Sequence, residues 1–126
     1  MGDQKIQIMV LDDEEIVGKR LKTALEKSNF EVEIFQESPK AVARIAEKEF
    51  DIVVTDVRMD EIGGMEVLER ALERSARTKV ILITGYATVE VAREALTRGA
   101  FDFIAKPFKP DALRDVIFKA VKELDR

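Results

Sequence analysis

Short, nearly unbroken apolar runs alternate along this chain with stretches whose apolar residues return every three or four positions. The runs are Lys5 to Leu11, Glu31 to Phe35, Asp51 to Thr55, Lys79 to Thr84 and Phe101 to Ala105. Their length and continuity predict strands covered on both faces. The stretches between and after them predict helices. The first helix puts Ile16, Val17, Leu21, Ala24 and Leu25 on one side; the last does the same with Leu113, Val116, Ile117, Ala120, Val121 and Leu124. In the helix from Thr88 to Arg98, the stripe Val89, Ala92, Ala95 and Leu96 is expected to be buried, which leaves Val91 off it. Ser38 before Pro39 and the pair Pro110-Asp111 mark helix starts, while Gly63-Gly64 and Gly99 mark helix boundaries.

Five β/α units account for the whole chain, as one domain over residues 1–126. Strict alternation implies parallel strands joined by right-handed crossovers, hence an α/β protein with helices on both faces of its sheet. Five units are too few for an eight-stranded barrel. The expected architecture is an open, doubly wound, five-stranded parallel sheet in the flavodoxin-like order 2-1-3-4-5, with five helices. In that order the first and third strands are neighbours at the switch point, where such folds keep their chemistry. Asp12 and Asp13 follow the first strand and Asp56 the third, with Thr84 ending the fourth and Lys106 following the fifth. All five residues are brought to one edge.

Composition narrows what that edge can do. A net charge of −4 argues against direct contact with nucleic acid, which needs a basic patch. The chain has no cysteine and no histidine, so thiolate and imidazole metal sites are excluded, along with the commonest general base. The longest apolar runs, such as Val80 to Ile83, are far too short to cross a bilayer, and Met1 to Lys5 carries no signal-peptide core. No membrane partner is expected, and the expected location is the cytoplasm. The end at Leu124-Asp125-Arg126 suits either a stand-alone protein or the amino-terminal piece of a longer regulator.

Taken one at a time, these residues have ordinary explanations. Acids suit the start of a helix, Asp56 suits a turn, Thr84 before Gly85 suits a bend, and Lys106 before Pro107 suits a solvated loop. Those explanations leave unexplained why the acids, the hydroxyl and the amine end four different strands on one rim. Three neighbouring carboxylates repel, so they share protons or hold a cation. Oxygen-only ligands point to a hard ion, Mg²⁺ or else Mn²⁺. With a fixed ammonium and a hydroxyl beside it, such a site suits phosphoryl transfer, with an aspartate as nucleophile.

The set Asp12-Asp13, Asp56, Thr84-Gly85 and Lys106-Pro107-Phe108 resembles that of the response-regulator receiver domains of two-component signalling, and the resemblance covers essentially the whole chain. The stretches from Thr84 to Glu90 and from Gly99 to Phe103 are similar to receivers of NtrC-like, σ54-activator regulators. The resemblance implies that Asp56 accepts phosphate from a phosphohistidine on a sensor histidine kinase or a phosphotransfer protein. It implies Mg²⁺ on Asp13, Asp56 and the main-chain carbonyl of Arg58, with Asp12 acting through a coordinated water. Lys106 would pair with the phosphoryl group, across a cis bond to Pro107. Thr84 would hydrogen-bond a phosphoryl oxygen, with Phe103 as the aromatic switch. Gly85 would leave room for the donor, while Arg58 and Tyr86 would control water access and phosphoryl lifetime. The output surface would be the helix 88–98, the strand 101–105 and the helix 110–124, which would serve an effector domain, a target protein or a homodimer. One stretch departs from many relatives, which carry Pro-Gly where this chain has Asp60-Glu61; the loop there is expected to be looser. The rival readings are a docking module that works unphosphorylated, a nucleotide- or flavin-binding protein, and a phosphohydrolase acting through an aspartyl phosphate. The acidic first turn and Arg58, two residues beyond Asp56, tell against the last two.

Overall fold

A computed structural model of the chain describes residues 5–124. Five strands, β1 (Gln7–Leu11), β2 (Glu31–Phe35), β3 (Ile52–Asp56), β4 (Lys79–Thr84) and β5 (Asp102–Ala105), alternate with five helices. The helices are α1 (Glu15–Glu26), α2 (Ser38–Glu47), α3 (Gly64–Arg74), α4 (Val89–Thr97) and α5 (Pro110–Leu124). All strand pairs are parallel, in the order β2-β1-β3-β4-β5. This is the doubly wound sheet that the alternation predicts. The segments proposed for residues 1–4 and 125–126 lie outside the described residues.

Side chains alternate across the sheet and build two separate apolar layers. On one face Ile8, Val10, Val54, Ile81 and Ile83 meet Leu21 and Leu25 of α1 and Leu113 and Ile117 of α5. On the other, Met9, Leu11, Val53, Val80 and Leu82 meet Ala41 and Ile45 of α2, Val67 and Leu68 of α3, and Ala95 of α4. The centre of the sheet is buried on both sides, which is why its strands read as continuous apolar runs.

Several details differ from the pattern expected of the sequence. Ile16 lies 58% exposed on the outer side of α1, and Gly18 takes the inward position against Ile34. The stripe expected on α4 is also displaced. Val89 is 66% and Leu96 52% exposed, Val91 is half-buried, and Ala95 alone is fully buried. The reason is that α4 packs mainly on β5, the edge strand, so there is little sheet to cover a wide stripe. Ser38 does not precede its helix but is its first residue, with Pro39 second and Glu37 at the cap position. Its hydroxyl serves a loop rather than the helix end.

Gly63-Gly64 does open α3, and for a packing reason. A side chain at position 64 would run into the Asp56 carbonyl oxygen and lie 2.8 Å from Val57 Cα. The start of α3 thus presses directly on the end of β3. Gly64→Ala is expected to lower stability by about 1–3 kcal/mol, the usual cost of overpacking, whereas Gly85→Ala, with nothing within 4 Å of its added carbon, is expected to leave it within about 0.5 kcal/mol. Urea unfolding of both variants checks the contrast.

Candidate functional site

At the carboxyl edge of the sheet, β1 and β3 end side by side, with Leu11 opposite Thr55. Asp12 follows immediately and is buried; Asp13 turns outward and is exposed. Asp56 is the last residue of β3, one place later than the strand end expected from sequence, and is buried beside them. One carboxylate oxygen from each of Asp12, Asp13 and Asp56 lies within 4.8 Å of the others. The acids that the sequence scatters over 45 positions therefore share one cluster.

Lys106 reaches into this cluster from beyond β5. Its ammonium donates to Asp56 Oδ2 at 2.7 Å and to Glu14 Oε1 at 3.2 Å. It also forms an ion pair with the buried Asp12 Oδ2 at 2.8 Å. The Lys106 amide donates to the Thr84 carbonyl at 2.8 Å, which fixes the backbone on which the side chain is mounted. The peptide from Lys106 to Pro107 is cis.

The electrostatics follow from burial and sign. Burial pushes the Asp12 carboxyl up, against the lowering by the Lys106 contact, the Glu14 amide and the lysine charge, while Asp56 adds to the rise. Burial alone would lower the Lys106 pKa, but Asp12, Asp56 and Glu14 together hold it well above the ordinary lysine value of 10.5. A raised lysine pKa stabilises the fold fully below 10.5, and that contribution is lost only as pH climbs beyond it. Near neutrality the ammonium is permanently charged.

The rim of the site comes from the β3–α3 and β4–α4 loops. The Thr84 hydroxyl, buried at the end of β4, accepts the Tyr86 amide at 3.1 Å. Gly85 leaves open space beside it. The Arg58 amide donates to Asp56 Oδ1 at 3.0 Å, and its guanidinium lies 3.8 Å over the Tyr86 ring. That cation–π contact bridges the β3–α3 and β4–α4 loops. Phe103 of β5 is half-buried and packs on the sheet face shared by α2, α3 and α4. Tyr86 stands exposed at the rim, and Val89 and Leu96 are exposed on α4.

A sequence profile for the response regulator receiver domain matches residues 8–118. This chain belongs to that family. Receiver domains are phosphorylation-dependent switches of two-component response regulators, signalling proteins rather than metabolic enzymes, and they bind Mg²⁺ at their acidic pocket. The receiver is 38% identical over 116 residues to the regulatory protein AtoC of Escherichia coli (strain K12), covering 92% of this chain and 25% of AtoC. It is 31% identical over 121 residues to the transcriptional regulatory protein FixJ of Bradyrhizobium diazoefficiens, covering 96% of this chain and 59% of FixJ. The chain therefore spans about a quarter of AtoC's length and under two thirds of FixJ's. Among solved structures, a CheY-like receiver domain protein from Methanospirillum hungatei JF-1 superposes with TM-score 0.87 at 30% identity, covering 95% of this chain and 97% of that one. The beryllofluoride-activated NtrC4 receiver domain dimer gives 0.88 at 30% identity, covering 94% and 98%. The relatives are response regulators, and none of these likenesses favours a flavin- or nucleotide-binding protein.

Two residues of the receiver's site escaped sequence reasoning. Glu14 follows the acidic pair directly, but its contact with a lysine 92 positions later has no local signal. Ser38 reads as a helix start, and only the folded loop reveals its partners. Replacing the lysine tests the charge balance. Lys106→Met is expected to cost about 3 kcal/mol at neutral pH by leaving buried carboxylates unpaired, with Asp12→Asn recovering part of the loss. An unpaired carboxyl has a folded pKa above its unfolded one, so its penalty is present above that pKa and relieved below it. The deficit is therefore expected to shrink as pH falls from about 7.5 to about 5.5, as read by urea unfolding across that range.

Proposed function

We propose that this receiver takes a phosphoryl group onto Asp56 and that the charges around Lys106 then rearrange to switch the β4–α5 region. The reading rests on one observation above others: the Lys106 ammonium bonded at 2.7 Å to a buried Asp56 whose neighbours Asp12 and Asp13 lie within the same 4.8 Å cluster. The donor set fits a hard divalent cation, being all oxygen, with three carboxylates clustered and that of Asp13 exposed to solvent. Asp13, Asp56 and the Arg58 carbonyl would hold Mg²⁺ or Mn²⁺ directly and Asp12 through water. The ion supplies positive charge to the transferring oxygens.

The chain's own groups do the rest. An Asp56 carboxylate oxygen attacks phosphorus and forms an acyl phosphate O–P bond. The P–N bond of a phosphohistidine breaks, and its electron pair returns to the donor imidazole, which takes up a proton from solvent. Lys106 exchanges its bond to the Asp56 carboxylate for one to a phosphoryl oxygen, and the Thr84 hydroxyl turns from the Tyr86 amide to another. That movement frees space beneath the β4–α4 loop into which Phe103 rotates. Hydrolysis needs water in line with the O–P bond, so the Arg58–Tyr86 stack over the rim, with the gap at Gly85, sets the lifetime.

The donor would be a sensor histidine kinase or a phosphotransfer protein in the cytoplasm. The output surface is α4, β5 and α5, where Val89 and Leu96 stand exposed; it serves an effector domain, a target protein or a second copy, as in the NtrC4 receiver dimer. Likeness to AtoC and to a putative NtrX-like response regulator supports placing the chain in an NtrC-like, σ54-activating regulator. The negative charge makes direct contact of this domain with nucleic acid unfavourable.

Incubation with phosphoramidate or acetyl phosphate, followed by intact mass, is expected to show one added phosphate that requires Mg²⁺ and is absent from Asp56→Asn. Addition without metal, or in the variant, contradicts the assignment. Mg²⁺ is also expected to raise the melting temperature by roughly 4 °C or more, the equivalent of ~1 kcal/mol in a domain of this size. Asp13→Ala is expected to melt higher than the parent without metal and to lose the response, as differential scanning calorimetry would show.

A further inference from the structure

The β3–α3 loop beside the acid cluster is the stretch where Asp60-Glu61 stands in place of a rigid turn, and the structure shows it fastened from an unexpected side. Ser38, the first residue of α2, is only 1% exposed. A serine at a helix start ordinarily turns its hydroxyl to the helix's own free amides. Here it donates to the Asp60 carbonyl at 2.8 Å and accepts the Ile62 amide at 3.1 Å, 22 and 24 residues away. Between these two partners Glu61 adopts φ +66°, the left-handed region that favours glycine. The Ile62 amide also lies 2.8 Å from the Asp60 carbonyl, so the chain turns back within three residues.

The rest of the loop is held at its ends, by the Arg58 amide on Asp56 and the Gly64 amide on the Val57 carbonyl. From Met59 to Ile62, Ser38 is the only hydrogen-bonding partner outside the loop among the described residues. Met59 and Ile62 also rest on the core, which anchors their side chains but does not dictate the backbone turn. Ser38, Asp60 and Glu61 share with Asp13 the wall of an open cavity of about 250 Å³. The fastened turn thus shares a cavity with the exposed carboxylate of the cluster, and it begins two residues after the one whose carbonyl is assigned to the cation.

We propose that Ser38 is a positioning residue: its hydroxyl pins the Asp60–Ile62 turn, and through that turn sets how tightly the acid cluster takes a divalent cation. This rests on the assignment of Asp13, Asp56 and the Arg58 carbonyl as metal ligands. Glutamate at 61 makes the pin necessary. A glycine adopts that φ without steric strain, whereas a glutamate there is disfavoured and depends more on having both flanking groups tied. The chain therefore replaces local rigidity in the loop with a bond from the neighbouring helix.

The test uses Ser38→Ala, Glu61→Gly and the double variant. In metal-free protein, Ser38→Ala is expected to speed hydrogen exchange at the Ile62 amide about tenfold, as for loss of one buried hydrogen bond. The Mg²⁺ concentration for half-maximal phosphorylation by phosphoramidate rises several-fold, and the rate at saturating Mg²⁺ stays that of the parent. A direct Mg²⁺ titration followed by fluorescence of Tyr86, the sole tyrosine in a chain without tryptophan, shifts by the same factor. Glu61→Gly in the Ser38→Ala background brings both titrations back toward the parent. A Ser38→Ala protein that titrates with Mg²⁺ within twofold of the parent overturns the role of Ser38 while leaving the metal assignment standing. So does a weakened titration that Glu61→Gly fails to restore. A parent protein that binds no Mg²⁺ overturns the metal assignment and the role of Ser38 together.

Discussion

One ammonium keeps this site together. Lys106 carries a single positive charge into a pocket that holds Asp12, Asp56 and Glu14 within 3.2 Å of it, with Asp13 close by. Without it the buried carboxylates would repel each other and pay for desolvation with no partner. With it the pocket still has a surplus of negative charge. The proposed function uses that imbalance, because a pocket in which four carboxylates face one ammonium suits a divalent cation and then a phosphoryl group. In the proposed function the lysine's bond to Asp56 is also the one that phosphorylation would replace, so the group stabilising the resting state would be the one that reads the modified state.

The fold exists in this region to bring distant charges to one edge. Two apolar layers fix the strands in register, and the strand order places the ends of β1 and β3 together with β4 beside β3. Precision at the edge then comes from backbone packing. The Lys106 amide is tied to β4, and α3 begins at a glycine because any side chain there would strike the end of β3. The parts that the proposed switch would move lie outside this frame. Helix α4 buries little beyond Ala95 and displays Val89 and Leu96, so a small change at Thr84 can move it at low cost.

Much of this was legible before any coordinates. Alternating apolar runs and helical stripes specify a parallel sheet, and the strand order then makes Asp12, Asp13, Asp56, Thr84 and Lys106 neighbours. Those inferences succeed because they depend on period and topology, which the core enforces throughout. What the sequence concealed depends on side-chain direction at the periphery. Ile16 and Val89 read as buried because the stripe rule assumes a helix fully covered by sheet, and at the first turn of α1 and over the edge strand it is not. Ser38 reads as a cap since serine before proline usually is one, but a carbonyl and an amide of the β3–α3 loop compete for its hydroxyl and win. The loop carrying Asp60-Glu61, expected to be loose, is tied down by that same residue.

A crystal structure of the protein with Mg²⁺ and beryllofluoride would show whether Lys106 follows the phosphoryl group. The expected result is a single Mg²⁺ held by Asp13, Asp56 and the Arg58 carbonyl, the fluoroberyllate on Asp56, and the Lys106 ammonium moved from the carboxylate onto a fluoride. Fluoroberyllate on any other residue, or a lysine still paired with Asp12 and Glu14 while Asp56 is occupied, would contradict it.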